Sequence, residues 1–264
     1  MPEGDTVFLT GRRLDEALAG RTLLRADLRH PRWAEVDLTG RDVVGVATVG
    51  KHILTRFSGD LTLRSHLRMD GSWHLYRPGD RWRRPAHQAR VVLEVADRQA
   101  VGFALHDLEL VPTGEEARLV GHLGPDLLGA WSPADVAEAV ARLTADPGRE
   151  IGLALLDQRV VAGVGNVYKS EVCFLLGASP WTPVSGVDGA RAIALSRKLL
   201  LANASRPVRN TTGMVGRGRE SWVYGRAGRP CFRCGTRVRV AGQGGGVQER
   251  PTYWCPTCQP GPIA

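Results

Sequence analysis

Acidic side chains are scarce in the second half of this 264-residue chain: residues 151–264 hold 5 Asp and Glu against 15 Lys and Arg, a net charge of +10. Residues 1–150 are almost balanced, with 22 acidic side chains against 20 basic ones. A half so short of negative charge is poorly suited to basic partners and presents a surface for a polyanion. The chain also lacks long apolar runs. No stretch reaches 18 apolar residues, and no basic-then-apolar leader opens it, so it is expected to be soluble, unexported and cytoplasmic, in contact with the nucleoid. The positive residues follow no amphipathic helix, which argues against an acidic membrane as the polyanion. There is no internal repeat.

Cysteine is sparse, with five in all, and a disulfide framework is thereby disfavoured. Four of them fall into two pairs of identical spacing, Cys231-x2-Cys234 and Cys255-x2-Cys258, separated by 20 residues. That is the upper end of the spacing for a four-thiolate zinc site, and one structural zinc ion with no open coordination position is expected there. The fifth, Cys173, lies in an apolar helical stretch and reads as core.

Taken in order, residues 5–19 read as a helix, with Val7, Leu14 and Leu18 on one face and Gly20 as its C-cap. Short β-rich runs then follow at Val43-Val44, Ile53-Leu54, Leu61 to Leu63, Val91 to Val95 and Val101 to Leu105. Turns at Ser58-Gly59-Asp60 and Asp70-Gly71 separate some of them. With no helical pattern between them, the strands predict an antiparallel sandwich. Residues 77–87 read as a mobile loop.

Helices dominate next. Ser132 and Pro133 start one whose apolar face is Val136, Val140 and Leu143, and a second covers 149–158. The tight turn Gly163-Val164-Gly165-Asn166 places Asn166 to cap a third helix ending near Gly177, and a fourth spans 188–204. Helix-turn-helix organisation of this kind presents a helix N-terminus to a phosphate. Residues 206–230, rich in Gly and Arg, read as a flexible loop. Strand-like runs at Arg237 to Ala241 and Thr252 to Trp254 make the cysteine segment a β-hairpin finger.

The opening Met1-Pro2-Glu3-Gly4 carries a chemical possibility of its own. Removal of Met1 would leave Pro2 as a free secondary amine. An α-amine titrates near 8 and a lysine near 10.4, so at neutral pH the terminus offers roughly a few hundred-fold more free base. An uncharged amine can attack a sugar carbon and form a Schiff base, with Glu3 beside it to move protons.

Together these stretches resemble the formamidopyrimidine-DNA glycosylase / endonuclease VIII family of DNA-repair enzymes. The likeness rests on the Pro-Glu start, Gly50-Lys51-His52 after a strand, and Leu-Leu-Asp-Gln (155–158) leading to Gly163-Val164-Gly165-Asn166-Val167-Tyr168. It continues in Trp222-Val223-Tyr224-Gly225-Arg226 and the tail Arg250-x-Thr252-x2-Cys255-Pro256-x-Cys258-Gln259. The resemblance implies an α+β protein: a sandwich domain over 1–118, a helix-two-turn-helix domain over 119–209, and a lesion loop with a zinc finger over 210–264. It also implies that the two domains flank a DNA-binding cleft.

The resemblance further implies that Pro2 attacks C1′ of the damaged nucleotide and Glu3 protonates the opening sugar oxygen. Lys51 contacts phosphate and assists strand cleavage, and Asn166 and Arg250 grip phosphates around the extruded nucleotide. The implied partners are damaged double-stranded DNA and abasic sites, with the protein acting as a monomer. Because a stacked base is out of reach, it must be flipped at a cost of a few kcal/mol, which damage lowers. Tyr168 and Trp222 read as packing residues, and His66 and His106 as core or turn residues.

Departures from the family pattern point to the substrate. Pro2-Glu3-Gly4 is closer to the endonuclease VIII branch, and Thr6 stands where both branches usually carry a second glutamate. Residues 106–110 lack the Arg-x-Phe wedge of the formamidopyrimidine branch, which leaves Met69 in Leu67-Arg68-Met69-Asp70 as the apolar wedge. These features favour oxidised pyrimidines over oxidised purines. The alternatives are a purine-lesion glycosylase and a zinc-dependent module that binds damage without cutting.

Overall fold

The first helix, α1 (Gly4–Leu18), turns a stripe of Val7, Leu14 and Leu18 into a sandwich core, and all three are buried. In this computed structural model, which describes residues 2–246 and 249–263, the chain forms two compact units, residues 1–122 and 123–264. Ala19 ends α1 in an extended conformation and Gly20, at φ 72°, turns the chain away, so the cap falls one residue before the glycine.

The first unit is a sandwich of two antiparallel sheets. One sheet runs β1 (Arg21–Thr22), β3 (Asp42–Val49), β4 (His52–Phe57), β5 (Leu61–His66) and β9 (Asp107–Pro112) in that spatial order. The other runs β2 (Arg25–Leu28), β7 (Ala89–Glu94), β8 (Gln99–Phe103) and β6 (Ser72–Tyr76). Leu63, Leu108 and Leu110 meet Val91, Leu93 and Ala100 in the core between them. The β-rich runs read from the sequence are β3, β4, β5, β7 and β8, whereas β1, β2, β6 and β9 were not singled out. Residues 77–87 do form a loop, but a tethered one: Trp82 Nε1 donates to Gln99 Oε1 at 2.6 Å, and Arg84 Nη1 donates to Asp70 O and Ser72 Oγ at 3.0 and 2.9 Å.

The second unit packs α3 (Pro133–Thr144), α4 (Ile151–Leu156), α5 (Asn166–Leu176) and α6 (Gly189–Asn203) around Leu143, Ile151, Leu155, Tyr168, Val172 and Leu200; a short α2 (Ala117–Val120) lies in the first unit. Ser132 and Asp135 close a reciprocal capping box on α3, satisfying two backbone donors that the helix start would otherwise strand. Asn166 is not the cap of α5: Gly165 takes that place and Asn166 is the first helical residue, while Gly177 closes the far end at φ 75°. Its amide is drawn elsewhere, as described below.

The finger is the hairpin β10 (Arg239–Gln243) and β11 (Arg250–Trp254), antiparallel and in register from Arg239↔Trp254 to Gln243↔Arg250. It packs through Val238 and Cys255 against Phe174 of α5. The preceding stretch has little regular structure but is held. The fully buried Glu171 carboxylate accepts from the backbone N–H groups of Trp222, Val223 and Tyr224 at 2.8–2.9 Å, and from Thr211 Oγ1. Burial raises the Glu171 pKa while these donors oppose the rise. The reading of 206–230 as simply flexible is therefore corrected. Among the described residues no helix is long and apolar enough to cross a membrane.

Candidate active site and nucleic-acid interface

Two contacts set the direction of α1 across the sheet. Asp15 Oδ1 accepts from Val46 N at 2.7 Å, and one turn earlier the Cα of Gly11 comes so close to Thr48 that a Cβ would lie 2.3 Å from Thr48 Cγ2. Helix and strand therefore run antiparallel. Val49 pairs with His52, so Gly50 and Lys51 form the tight turn that joins β3 to β4 just beyond Thr48. The turn carrying Lys51 and the start of α1, with Pro2 and Glu3, therefore lie toward the same end of the sheet. Glu3 is fully buried and Pro2 and Lys51 half-buried. Met1, whose removal would free the Pro2 amine, lies outside the described residues. Asp5, beside the exposed Thr6 and 3.3 Å from its hydroxyl, is the buried carboxylate that follows Glu3 in this turn.

Next to Lys51, the rings of His52 and His66 meet edge to face at 4.9 Å. Desolvation, with His66 and Arg64 adding to it, pushes His52 down to about 3. Desolvation likewise takes His66 to about 4, against the pull of Asp107. His66 Nδ1 accepts from Arg68 N at 3.0 Å, a bond that needs the neutral ring.

That bond also shapes the 67–71 loop. Arg68 sits at φ 52°, Gly71 N donates to Leu67 O at 2.9 Å, and Arg68 Nε donates to Asp107 Oδ2 at 2.8 Å. Arg64 grips the other Asp107 oxygen. Burial raises the Asp107 pKa, but the two guanidiniums outweigh it and hold the carboxyl below its ordinary value. Met69 is left 67 % exposed at the tip of this pinned loop. Residues 107–112 are spent as strand β9, paired with β5 along its length and burying Leu108 and Leu110. A segment committed to a sheet in this way has no loop in which to carry a wedge.

In the second unit, Asn166 and the Arg250 strand come together. Asn166 is 2 % exposed and its Nδ2 donates to Pro251 O at 2.8 Å, while Arg250, the neighbour of that proline, is exposed. Lys169, one turn along α5 and fully buried, donates to Thr252 Oγ1. Sequence reasoning passed over Lys169 and Glu171. Their signal was a cation and an anion inside a helix otherwise apolar enough to be core. Cys173, by contrast, is the core residue expected, its thiol pushed up to about 12 by burial. Tyr168 is fully buried and Trp222 stacks on Phe174 at 5.4 Å, both as packing residues.

The thiols of Cys231, Cys234, Cys255 and Cys258 all lie within 4.8 Å of one another. Cys231 and Cys258 are 3.9 Å apart and Cys234 and Cys255 3.4 Å, far beyond a sulfur–sulfur bond of about 2.05 Å. A tetrahedron of thiolates about 2.3 Å from a central ion has edges of about 3.8 Å, which this cluster fits. The cluster can therefore hold a metal ion, using every thiol and leaving no position for water. Gln259 ties it to the helices, accepting from Cys255 N and donating to Ala178 O, each at 2.9 Å.

Comparison with known proteins accounts for this combination. The formamidopyrimidine-DNA glycosylase N-terminal domain model matches residues 1–107 and the corresponding H2TH domain model matches 123–204. The chain belongs to the formamidopyrimidine-DNA glycosylase / endonuclease VIII family, on its endonuclease VIII branch. It is 61 % identical to the probable endonuclease 8 2 of Streptomyces coelicolor, over 99 % of this chain and 95 % of that one. It is 48 % identical to the DNA-(apurinic or apyrimidinic site) lyase Nei2 of Mycolicibacterium smegmatis, over 98 % and 99 %. Among solved structures, the Lactococcus lactis formamidopyrimidine enzyme in complex with DNA containing an oxidised pyrimidine superposes with a TM-score of 0.81. That pair shares 25 % identity over 98 % of this chain and all of the other.

Proposed function

We propose that this member of the family excises oxidised pyrimidines from double-stranded DNA through a Schiff base on Pro2, then cuts the strand by β- and δ-elimination. The enzyme class comes with the family: a DNA glycosylase and abasic-site lyase of base excision repair. What supports the finer reading is that the start of α1, with Pro2 and a buried Glu3, and the turn bearing Lys51 lie toward the same end of the sheet.

In this reading the Pro2 nitrogen donates its lone pair to C1′, and the glycosidic bond breaks with its electrons leaving on the base, which takes up the proton that the Pro2 nitrogen sheds. Glu3 gives its proton to the ring oxygen as the sugar opens to the iminium. Loss of a C2′ proton then expels the 3′ phosphate, a second elimination expels the 5′ phosphate, and water releases Pro2 from the sugar fragment. Lys51 contacts phosphate and assists these steps, Asn166 and Arg250 hold the phosphates beside the extruded nucleotide, and Met69 fills the gap in the stack. The pinned 67–71 loop and the commitment of 107–112 to the sheet support pyrimidine over purine lesions. A zinc ion in the four-thiolate cluster would fold the finger and take no part in the chemistry.

Borohydride reduction with abasic DNA tests the mechanism. A covalent adduct to the first peptide is expected, together with its loss when the terminus is blocked. A folded, DNA-binding enzyme that forms no adduct would make the chain a damage-binding module. A panel of defined-lesion duplexes tests the substrate. Faster release of 8-oxoguanine opposite cytosine than of any pyrimidine lesion would reverse the assignment.

A further inference from the structure

We propose that Lys169, Thr252 and Gln243 form a buried clamp that fixes where Arg250 stands, making them positioning residues for its phosphate contact. The inference rests on the phosphate role proposed above for Arg250. Cα partners alternate along the hairpin as Gln243↔Arg250, Ala241↔Thr252 and Arg239↔Trp254, so Arg250 projects from the same face as Gln243, Thr252 and Trp254. The last three are buried, at 1 %, 0 % and 4 % exposure, and Arg250 stands at the open end of that docked face.

The clamp has two arms. Lys169 donates to Thr252 Oγ1, which lies 3.2 Å from both Gln243 Oε1 and Arg250 O. Gln243 Nε2 in turn lies 2.8 Å from both Glu150 Oε2 and Pro180 O. Helix α4 has a glycine where this amide seats, since a Cβ on Gly152 would come within 2.5 Å of Gln243 Oε1.

This arrangement is costly. A fully buried ammonium in the first turn of a helix meets both desolvation and the positive end of the helix dipole. The metal cluster cannot replace it, because Cys255 follows the far end of β11 and Arg250 stands five residues, about 17 Å of strand, away. A two-stranded hairpin held only at its base is marginal in water. The clamp holds the other end.

The test uses the full-length, zinc-loaded chain on a duplex with a stable abasic analogue, measuring affinity against salt, zinc content and melting temperature. Thr252→Val, Lys169→Met and Arg250→Ala are compared singly, with Arg250→Ala also combined with each of the others. Thr252→Val and Lys169→Met are each expected to lose about tenfold in affinity, as for one charge-assisted contact. Their salt slope should fall by about 0.9, as for one phosphate. In the Arg250→Ala background the same changes should cost less than about twofold, because the contact they serve is already gone. Thr252→Ser should recover most of the affinity.

Losses that add to that of Arg250→Ala, or wild-type affinity and slope in Thr252→Val, overturn the clamp. If Lys169→Met does not fold, Thr252→Val, which keeps the lysine and the side-chain volume, decides alone. Undiminished binding by Arg250→Ala would instead overturn the phosphate role itself, and the clamp's purpose with it.

Discussion

At the residue scale, the imidazoles beside Lys51 tie acid sensitivity to the site. His52 and His66 have an unfolded pKa near 6.5 and folded values of about 3 and 4. Between those limits the unfolded chain binds more protons than the folded one, so stability rises with pH across the window. It is complete above about 6.5 and is lost as pH falls toward 4, with a slope approaching about 1.4 kcal/mol per pH unit for each ring. The urea midpoint should therefore drop between pH 7 and 5, and drop less in a His52→Asn/His66→Asn double variant. An unchanged pH slope in the variant would show that other groups titrate there. Glu171 is the second residue with a large individual effect. Glu171→Gln turns one accepting oxygen into a donor facing backbone N–H groups, at a cost of about 1–3 kcal/mol for each group stranded. Melting temperature should fall and proteolysis within 206–230 should rise; protection equal to wild type would mean the loop is held by other contacts.

Among the elements, the finger has the least core of its own. Its apolar contacts include Val238 and Cys255 against Phe174 and Val223, and Trp254 against Trp181, with four thiols close by. Metal binding in isolated fingers contributes about 10–16 kcal/mol, so a chelator should release the hairpin before the sandwich unfolds. DNA binding is expected to be lost while near-ultraviolet signals from the sandwich tryptophans Trp33, Trp73 and Trp82 persist. Binding that survives complete metal loss would detach Arg250 from the interface. Helix α1 behaves oppositely: its close approach to β3 at Gly11 and the Asp15–Val46 bond are built from residues within the sandwich and need no ion.

For the whole molecule, the excess of positive charge in residues 151–264 lies entirely within the second compact unit. If that unit neutralises about five phosphates, the logarithm of affinity should fall with the logarithm of salt at a slope near −4.5. Titrating a labelled abasic duplex across a salt series reads that slope directly. A salt-insensitive affinity would separate the basic half from the DNA surface.

By itself the sequence determined what depends on neighbours along the chain. The Pro2-Glu3 start, the paired cysteines, the Ser132 cap and the short β-rich runs of β4 and β8 are local patterns, because caps, turns and ligand spacings involve residues a few positions apart. Strand β9 was legible as Asp107-Leu108-Glu109-Leu110 but was weighed only as a missing wedge, since nothing local reveals that β5 is its partner. Tertiary structure alone decided that Asn166 would serve the hairpin, not cap its own helix, through a partner 85 residues away. It also decided that Lys169 would meet Thr252 at a separation of 83 and that Glu171 would hold Val223 at 52. A buried polar group must find partners wherever the fold brings donors and acceptors, and composition carries no record of that address.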